Sequence, residues 1–235
     1  MLDEHWLMGL ARVTVFALML QNGLTIPVRD LLSFQRKPAL LVRSMVAVIL
    51  LVPGVVLVLL MMVALPVEVA TGLALLAASP GAPLIAQRSR IAAGSISLAA
   101  DLQLKLVLAA ILVTPLTLTL FKAMFPLLPD LASSHRAVAR EIAVVSLLPV
   151  GVGLFAQRFL PGAAALLGKT LGVVSRFLFL ILAVLIAWPS ASAAIQLGGM
   201  VALVIVIMAA AALGIGHVMG AGASLHQRAS IATAC

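Results

Sequence analysis

The sequence predicts an all-α integral membrane protein with seven transmembrane helices, in a single transmembrane domain over residues 1–235, and three observations carry that prediction. Hydrophobic residues make up 64% of the 235, far above the roughly 45–50% of soluble domains. Charged residues make up 9%, against about 25% in a soluble domain, whose surface needs them to stay in solution. Apolar runs near the roughly 20 residues that cross a hydrocarbon core of about 30 Å recur from end to end. An ordinary water-soluble enzyme is excluded, as are a disordered chain and a disulfide scaffold, the last because Cys235 is the only cysteine. The net charge of +8 comes from Lys and Arg that stand singly between apolar runs. That placement reads as membrane topology rather than nucleic-acid binding.

The spans are expected to be helices, because continuous Leu, Val, Ala and Ile runs keep every backbone group paired within one segment, whereas membrane strands alternate in short stretches. Span one, Trp6–Ile26, stays in the chain: Asp3 and Glu4 make the start acidic, unlike a cleavable export signal. It closes on Asn22-Gly23-Leu24-Thr25. Span two, Ser44–Leu65, is interrupted by Pro53-Gly54, and span three, Glu68–Ala86, by Pro80-Gly81 and Pro83. Span four, Ile91–Phe121, carries ionisable groups in its first half and Thr114-Pro115 in its second. Span five, Ile142–Leu160, holds Pro149, Gly151 and Gly153. Small residues of this kind let membrane helices approach closely. Spans six and seven are Leu171–Ile195 and Leu197–Gly220. A polar joint, Ala221–Arg228, then leads into Ala229–Cys235, which reads as the opening turns of another membrane segment, so a truncated product or fragment is expected.

Orientation follows from the positive charges between spans. Arg29, Arg36, Lys37 and Arg43 follow span one, Glu68 stands alone after span two, and Arg88 and Arg90 follow span three. The next connection is mixed, Arg158, Lys169 and Arg176 mark the fifth, and the sixth carries no charge. Alternate loops therefore face the cytoplasm, with the amino terminus outside and the segment around Arg228 inside an inner membrane.

Chemistry in a membrane bundle shows where polar groups or helix breakers enter an apolar run. In Leu75–Ala86 each proline lacks a backbone donor and clashes with the carbonyl four residues earlier, so the carbonyls of Leu76 and Ser79 lose their helical partners. Such carbonyls are cation ligands, and a half-helix restarting near Ala82 aims N–H groups at an anion. A plain proline kink is the alternative. In span four, Gly94, Ser97, Asp101 and Lys105 recur at helical spacing as one polar stripe, with Gln103 further round the helix. Asp101 and Lys105 would each cost roughly 2.5–3.5 kcal/mol at the bilayer centre, which excludes lipid exposure. They either neutralise one another at i,i+4 or make Asp101 a proton or cation site on a water-filled path, with Lys105 as counter-charge. His217 reads as a headgroup-level residue. No metal-ligand spacing, nucleotide loop or nucleophile elbow is present, which disfavours an enzyme. Span seven has no lysine for a Schiff base, which removes a retinal protein.

The runs Phe16–Pro53, Glu68–Gly94 and Leu147–Pro161, with the Gly23-Leu24-Thr25 helix end, the Arg36-Lys37-Pro38 entrance to the next helix, the Pro80-Gly81 break and the closing His226–Cys235, resemble the bile acid:sodium symporter family in order and spacing. The resemblance implies a secondary transporter of two inverted repeats with panel and core domains, in which two unwound helices cross beside the ion sites. Residues 1–130 would form the first repeat without its first helix, and residues 131–235 an incomplete second. It also implies sodium ligands at positions occupied here by Val48, Ile85, Ala86, Ala99 and Gln103. The first four offer no side-chain oxygen, which puts sodium coupling in doubt and leaves Asp101 and Gln103 as substitutes for sodium or a proton.

The expected function is ion-coupled, alternating-access transport of a small organic anion, with the lipid bilayer and a coupling cation as partners and no cofactor. The candidate site is Ser79, Pro80 and Gly81 through their backbone, with Asp101 and Gln103 as polar lining and Lys105, Ser97 and Asn22 in support. The rivals are a non-transporting fragment or membrane scaffold, and a uniporter of a neutral metabolite.

Overall fold

The structure, a computed structural model, describes residues 4–25, 38–80, 85, 88–89, 92, 94–128, 135–197 and 199–235; within these, the side chains of 4, 96, 97, 135 and 188–197 are not described. The described elements are all helical: α1 (Glu4–Thr25), α2 (Pro38–Val46), a π turn (Ala47–Leu51), α3 (Val52–Met62), α4 (Val67–Ala77), α5 (Ile96–Met124), α6 (His135–Ile142), a second π turn (Ala143–Leu147), α7 (Leu148–Phe159), α8 (Pro161–Leu197), α9 (Gly199–Met219) and α10 (Leu225–Ala232). Among the described residues 6 helices are long and apolar enough to span a membrane. The protein is an all-α membrane protein. The segment expected as span three differs: its described helix is the 11-residue α4, which ends three residues before Pro80.

Local chemistry explains the other departures from the expected boundaries. The second and fifth spans each contain a π turn just before a proline, Pro53 and Pro149. A proline cannot donate to the carbonyl four residues back, and widening the preceding turn relieves the clash. The wide bond is visible at Val52, whose N–H reaches the Ala47 carbonyl. α8 starts ten residues ahead of the expected Leu171 because Pro161 suits a first helical position. Lys169, expected in a loop, lies within that helix with Arg176, and Arg176 Nε donates to the Gly172 carbonyl at 2.8 Å. α5 starts at Ile96 because the Ser95 hydroxyl caps it, accepting from the Leu98 N–H at 3.5 Å.

The chain forms two compact units, residues 1–29 with 143–199 and residues 30–142 with 200–235. In the first, α1 packs along α7 and α8. Gly23 and Gly153 let two backbones touch: a Cβ on Gly153 would lie 2.7 Å from the Leu20 carbonyl oxygen, and one on Gly23 would lie 3.0 Å from Gly153 Cα. On α8, Ala164, Gly168, Gly172 and Ser175 are buried at helical spacing, and Ser175 Oγ donates to Gln21 Oε1 at 3.3 Å. Small residues that bring helices close are how bundles gain packing where lipid removes any hydrophobic drive.

In the second unit α5 is the central helix. From Leu98 to Gln103 every residue is buried, and lipid-type exposure appears only further along, at Leu108, Leu112, Leu116 and Leu120. Val56, Leu73, Phe121, Val204 and Met208 form one apolar cluster joining α3, α4, α5 and α9. A second cluster joins α2, the first π turn, α5 and α10. α9 turns into α10 through Gly222, whose φ of 85° is a left-handed conformation that suits glycine. Ser224 and Gln227 close a capping box at the start of α10.

Candidate functional site

The site is built where the segment after α4 meets the start of α5 and the length of α10, all within the second unit. α4 stops at Ala77, and the chain leaves the helix before Pro80, which is buried while Ser79 is exposed. The loosened end is partly re-bonded by its own residues: Ser79 N–H donates to the Leu76 carbonyl at 3.3 Å, and Ser79 Oγ donates to the Leu75 carbonyl at 2.8 Å. The Leu76 carbonyl, expected to lose its helical partner, therefore gains a nearer one. Gly81 and the half-helix expected from Ala82 lie outside the described residues, as does Ala86.

Beyond the break, two segments far apart in sequence are joined by hydroxyls. Ser89 Oγ and Ser230 Oγ share a hydrogen bond of 2.8 Å, and both serines are fully buried. Ser230 Oγ also lies within bonding distance of the Ser95 carbonyl, 3.1 Å, and the His226 carbonyl, 3.0 Å. The Ser95 N–H donates to the His226 carbonyl at 3.1 Å, and the Gly94 N–H to the Ser89 carbonyl at 2.6 Å. Gly94 leaves the space that this junction needs, since a Cβ there would sit 2.6 Å from Ser230 Oγ. Ser89, Ser95 and Ser230 were not singled out from the sequence. The available signal was polar residues flanking a glycine in an apolar stretch, but nothing local pairs Ser89 with a residue in the closing segment.

Six residues after this junction stands Asp101, 1% exposed, with Lys105 Nζ donating to its Oδ1 and the lysine side chain 26% exposed. The structure thus brings Asp101 and Lys105 together, as their i,i+4 spacing implies. Ser97 lies on the same helix, with its side chain outside the described set. Gln103 is also buried, but two helical steps turn it about 200° from Asp101 around the axis. Asp101 and Gln103 therefore line opposite sides of α5 rather than one wall. Asn22 is buried on α1 in the other unit.

Three positions expected to replace cation ligands, Val48, Ile85 and Ala99, come together in the cluster that α5 shares with α2 and α10, beside Leu98, Leu102 and Ile231. Hydrocarbon fills the place, and hard cations require oxygen. Side-chain coordination of sodium does not fit these residues. Among the described residues no group of three or more His, Cys, Asp or Glu could hold a metal ion.

A membrane protein whose central helix carries a buried carboxylate paired with a lysine, and begins where two segments distant in sequence are bound together, has the build of a solute carrier. A sequence model described as the Sodium Bile acid symporter family matches residues 12–221, and the chain belongs to that family, a family of transporters. The resemblance drawn from the sequence is borne out. No curated protein matches the chain.

Proposed function

We propose that the protein is a secondary transporter that carries a small organic anion across the inner membrane by alternating access, driven by a cation gradient. The observation that carries this reading is Asp101: a carboxylate 1% exposed on a membrane helix, six residues beyond the hydroxyl junction of Ser89, Ser95 and Ser230. An ionisable group is costly in such a place and is kept there for solute or charge movement. The backbone at Ser79, Pro80 and Gly81 contacts the solute, Asp101 with Lys105 holds the charge balance, and Gln103 supplies a polar contact on the opposite side of α5. Ser97 and Asn22 support the polar path.

The amino terminus lies outside and the Arg228 segment in the cytoplasm, in keeping with the positive charges of alternate loops. Residues 1–130 and 131–235 correspond to two inverted repeats. In support, each half supplies one of the two segments joined through Ser89 and Ser230.

Uptake into proteoliposomes tests the reading. Saturable, gradient-dependent accumulation of some organic anion is expected, and Asp101→Ala is expected to reduce it at least tenfold. Uptake unchanged by Asp101→Ala removes that residue from the mechanism, and no accumulation across a broad anion panel overturns the transport reading itself.

A further inference from the structure

We propose that Lys105 is the resident counter-cation of Asp101, a tethered ammonium standing where a dissolved sodium ion would otherwise bind, so that the protein works without sodium at this carboxylate. The inference deepens the transport reading and rests on it only for its physiological meaning.

Asp101 is the charged side chain among the buried polar groups of the described residues. A carboxylate removed from water needs a cation at short range. The chain supplies one, a single helical turn on, through the ion pair of Lys105 Nζ with Asp101 Oδ1. The acid is 1% exposed and the lysine side chain 26%, so the ammonium reaches inward from a partly open position. A long aliphatic stem suits that geometry, because its methylenes lie against apolar neighbours while the head meets the acid.

Sodium would need a different environment. It requires a shell of several oxygens, whereas an ammonium needs only acceptors for its N–H groups. The face of α5 next round from Asp101 presents Leu98, Leu102 and Leu106, packed with Val48, Ile85 and Ile231. None of these apolar side chains offers an oxygen to a sodium shell. A sodium ion would also have to displace an ammonium that the backbone holds in place, against a very high local concentration. The described residues therefore satisfy a lysine and disfavour a free alkali cation.

Thermal unfolding of the purified full chain in detergent tests this, in sodium chloride against N-methyl-D-glucamine chloride at equal ionic strength. The wild type is expected to melt within about 1 °C in the two salts, since an ion that does not bind the folded state cannot stabilise it. Lys105→Met leaves the carboxylate to be answered from solution, and sodium is expected to raise its midpoint by roughly 2–8 °C. Lys105→Arg should restore indifference, and Lys105→Met combined with Asp101→Asn should show no sodium response. A wild-type midpoint that rises with sodium overturns the proposal, as does a folded Lys105→Met that ignores sodium. If Lys105→Met folds in neither salt, the wild type decides alone: indifference supports the proposal and a rise overturns it. No transported solute enters the measurement, so its failure is separate from failure of the transport reading.

Discussion

The two compact units solve different problems with different residues. In the first, α1, α7 and α8 meet through Gly23, Gly153, Gly168 and Gly172, close enough that a side chain at Gly153 would strike backbone. In the second, the junction after α4 is made by Ser89, Ser95 and Ser230, and α5 carries the Asp101–Lys105 pair. Glycine contacts give a tight fit with few directional bonds, whereas hydroxyl and ionic contacts fix direction but cost energy when half-made. The first unit thus relies on close backbone packing and the second on directional polar contacts.

Substitutions can break that comparison or sharpen it. The largest effect is expected from Asp101→Ala, which strands Lys105 and costs about 3 kcal/mol, the low end for a buried pair because the lysine side chain is 26% exposed. Thermal unfolding measures that loss, and proteoliposome uptake should fall further than the folded yield does. Gly23→Val should come next, destabilising by about 2–3 kcal/mol because the added atoms meet backbone that cannot yield. Because Asn22 stands next to Gly23 on α1, uptake per folded molecule is expected to fall as well, and unchanged turnover would remove Asn22 from the polar path.

Gly94→Ala is expected to cost about 1–2 kcal/mol. Its methyl meets the two hydroxyls first and the Ser89 carbonyl oxygen at 3.0 Å, so stability and uptake should both fall, read by melting and flux on one preparation. Ser89→Ala with Ser230→Ala, treated as a double-mutant cycle, should give a coupling of about 1 kcal/mol. Additive effects would mean that the shared hydrogen bond contributes nothing. Ser175→Ala is the smallest, about 0.5 kcal/mol for one part-buried bond to Gln21, with uptake unchanged.

What could be read from the sequence follows the range of the physics involved. The membrane class follows from composition, and the break near Pro80 from proline chemistry, both local. The Asp101–Lys105 pair is legible because i,i+4 spacing on a helix fixes a neighbour without knowledge of the fold. The Ser89–Ser230 bond is not, since its partners stand 141 positions apart and neither has a local signal. Glycines at 23 and 153 are recognisable as packing residues, yet nothing in either helix names the other. The early start of α8 was hidden because Lys169 resembles a loop charge, while long basic side chains can run along a helix to the interface. Helical spacing alone puts Gln103 further round α5 from Asp101, and α5 is helical across both residues.

The length of α8 carries a consequence for the membrane around it. Its candidate span, Pro161–Ala187, has 27 residues with Lys169 and Arg176 among them, which at about 1.5 Å per residue gives a rod of roughly 40 Å against a slab of about 30 Å. Such a rod must lean or thicken the lipid beside it, and α1, fastened to its early turns at Gly168 and Gly172, leans with it. Lipids with longer acyl tails would stand both upright, so bilayer thickness becomes a mechanical input to this half of the molecule.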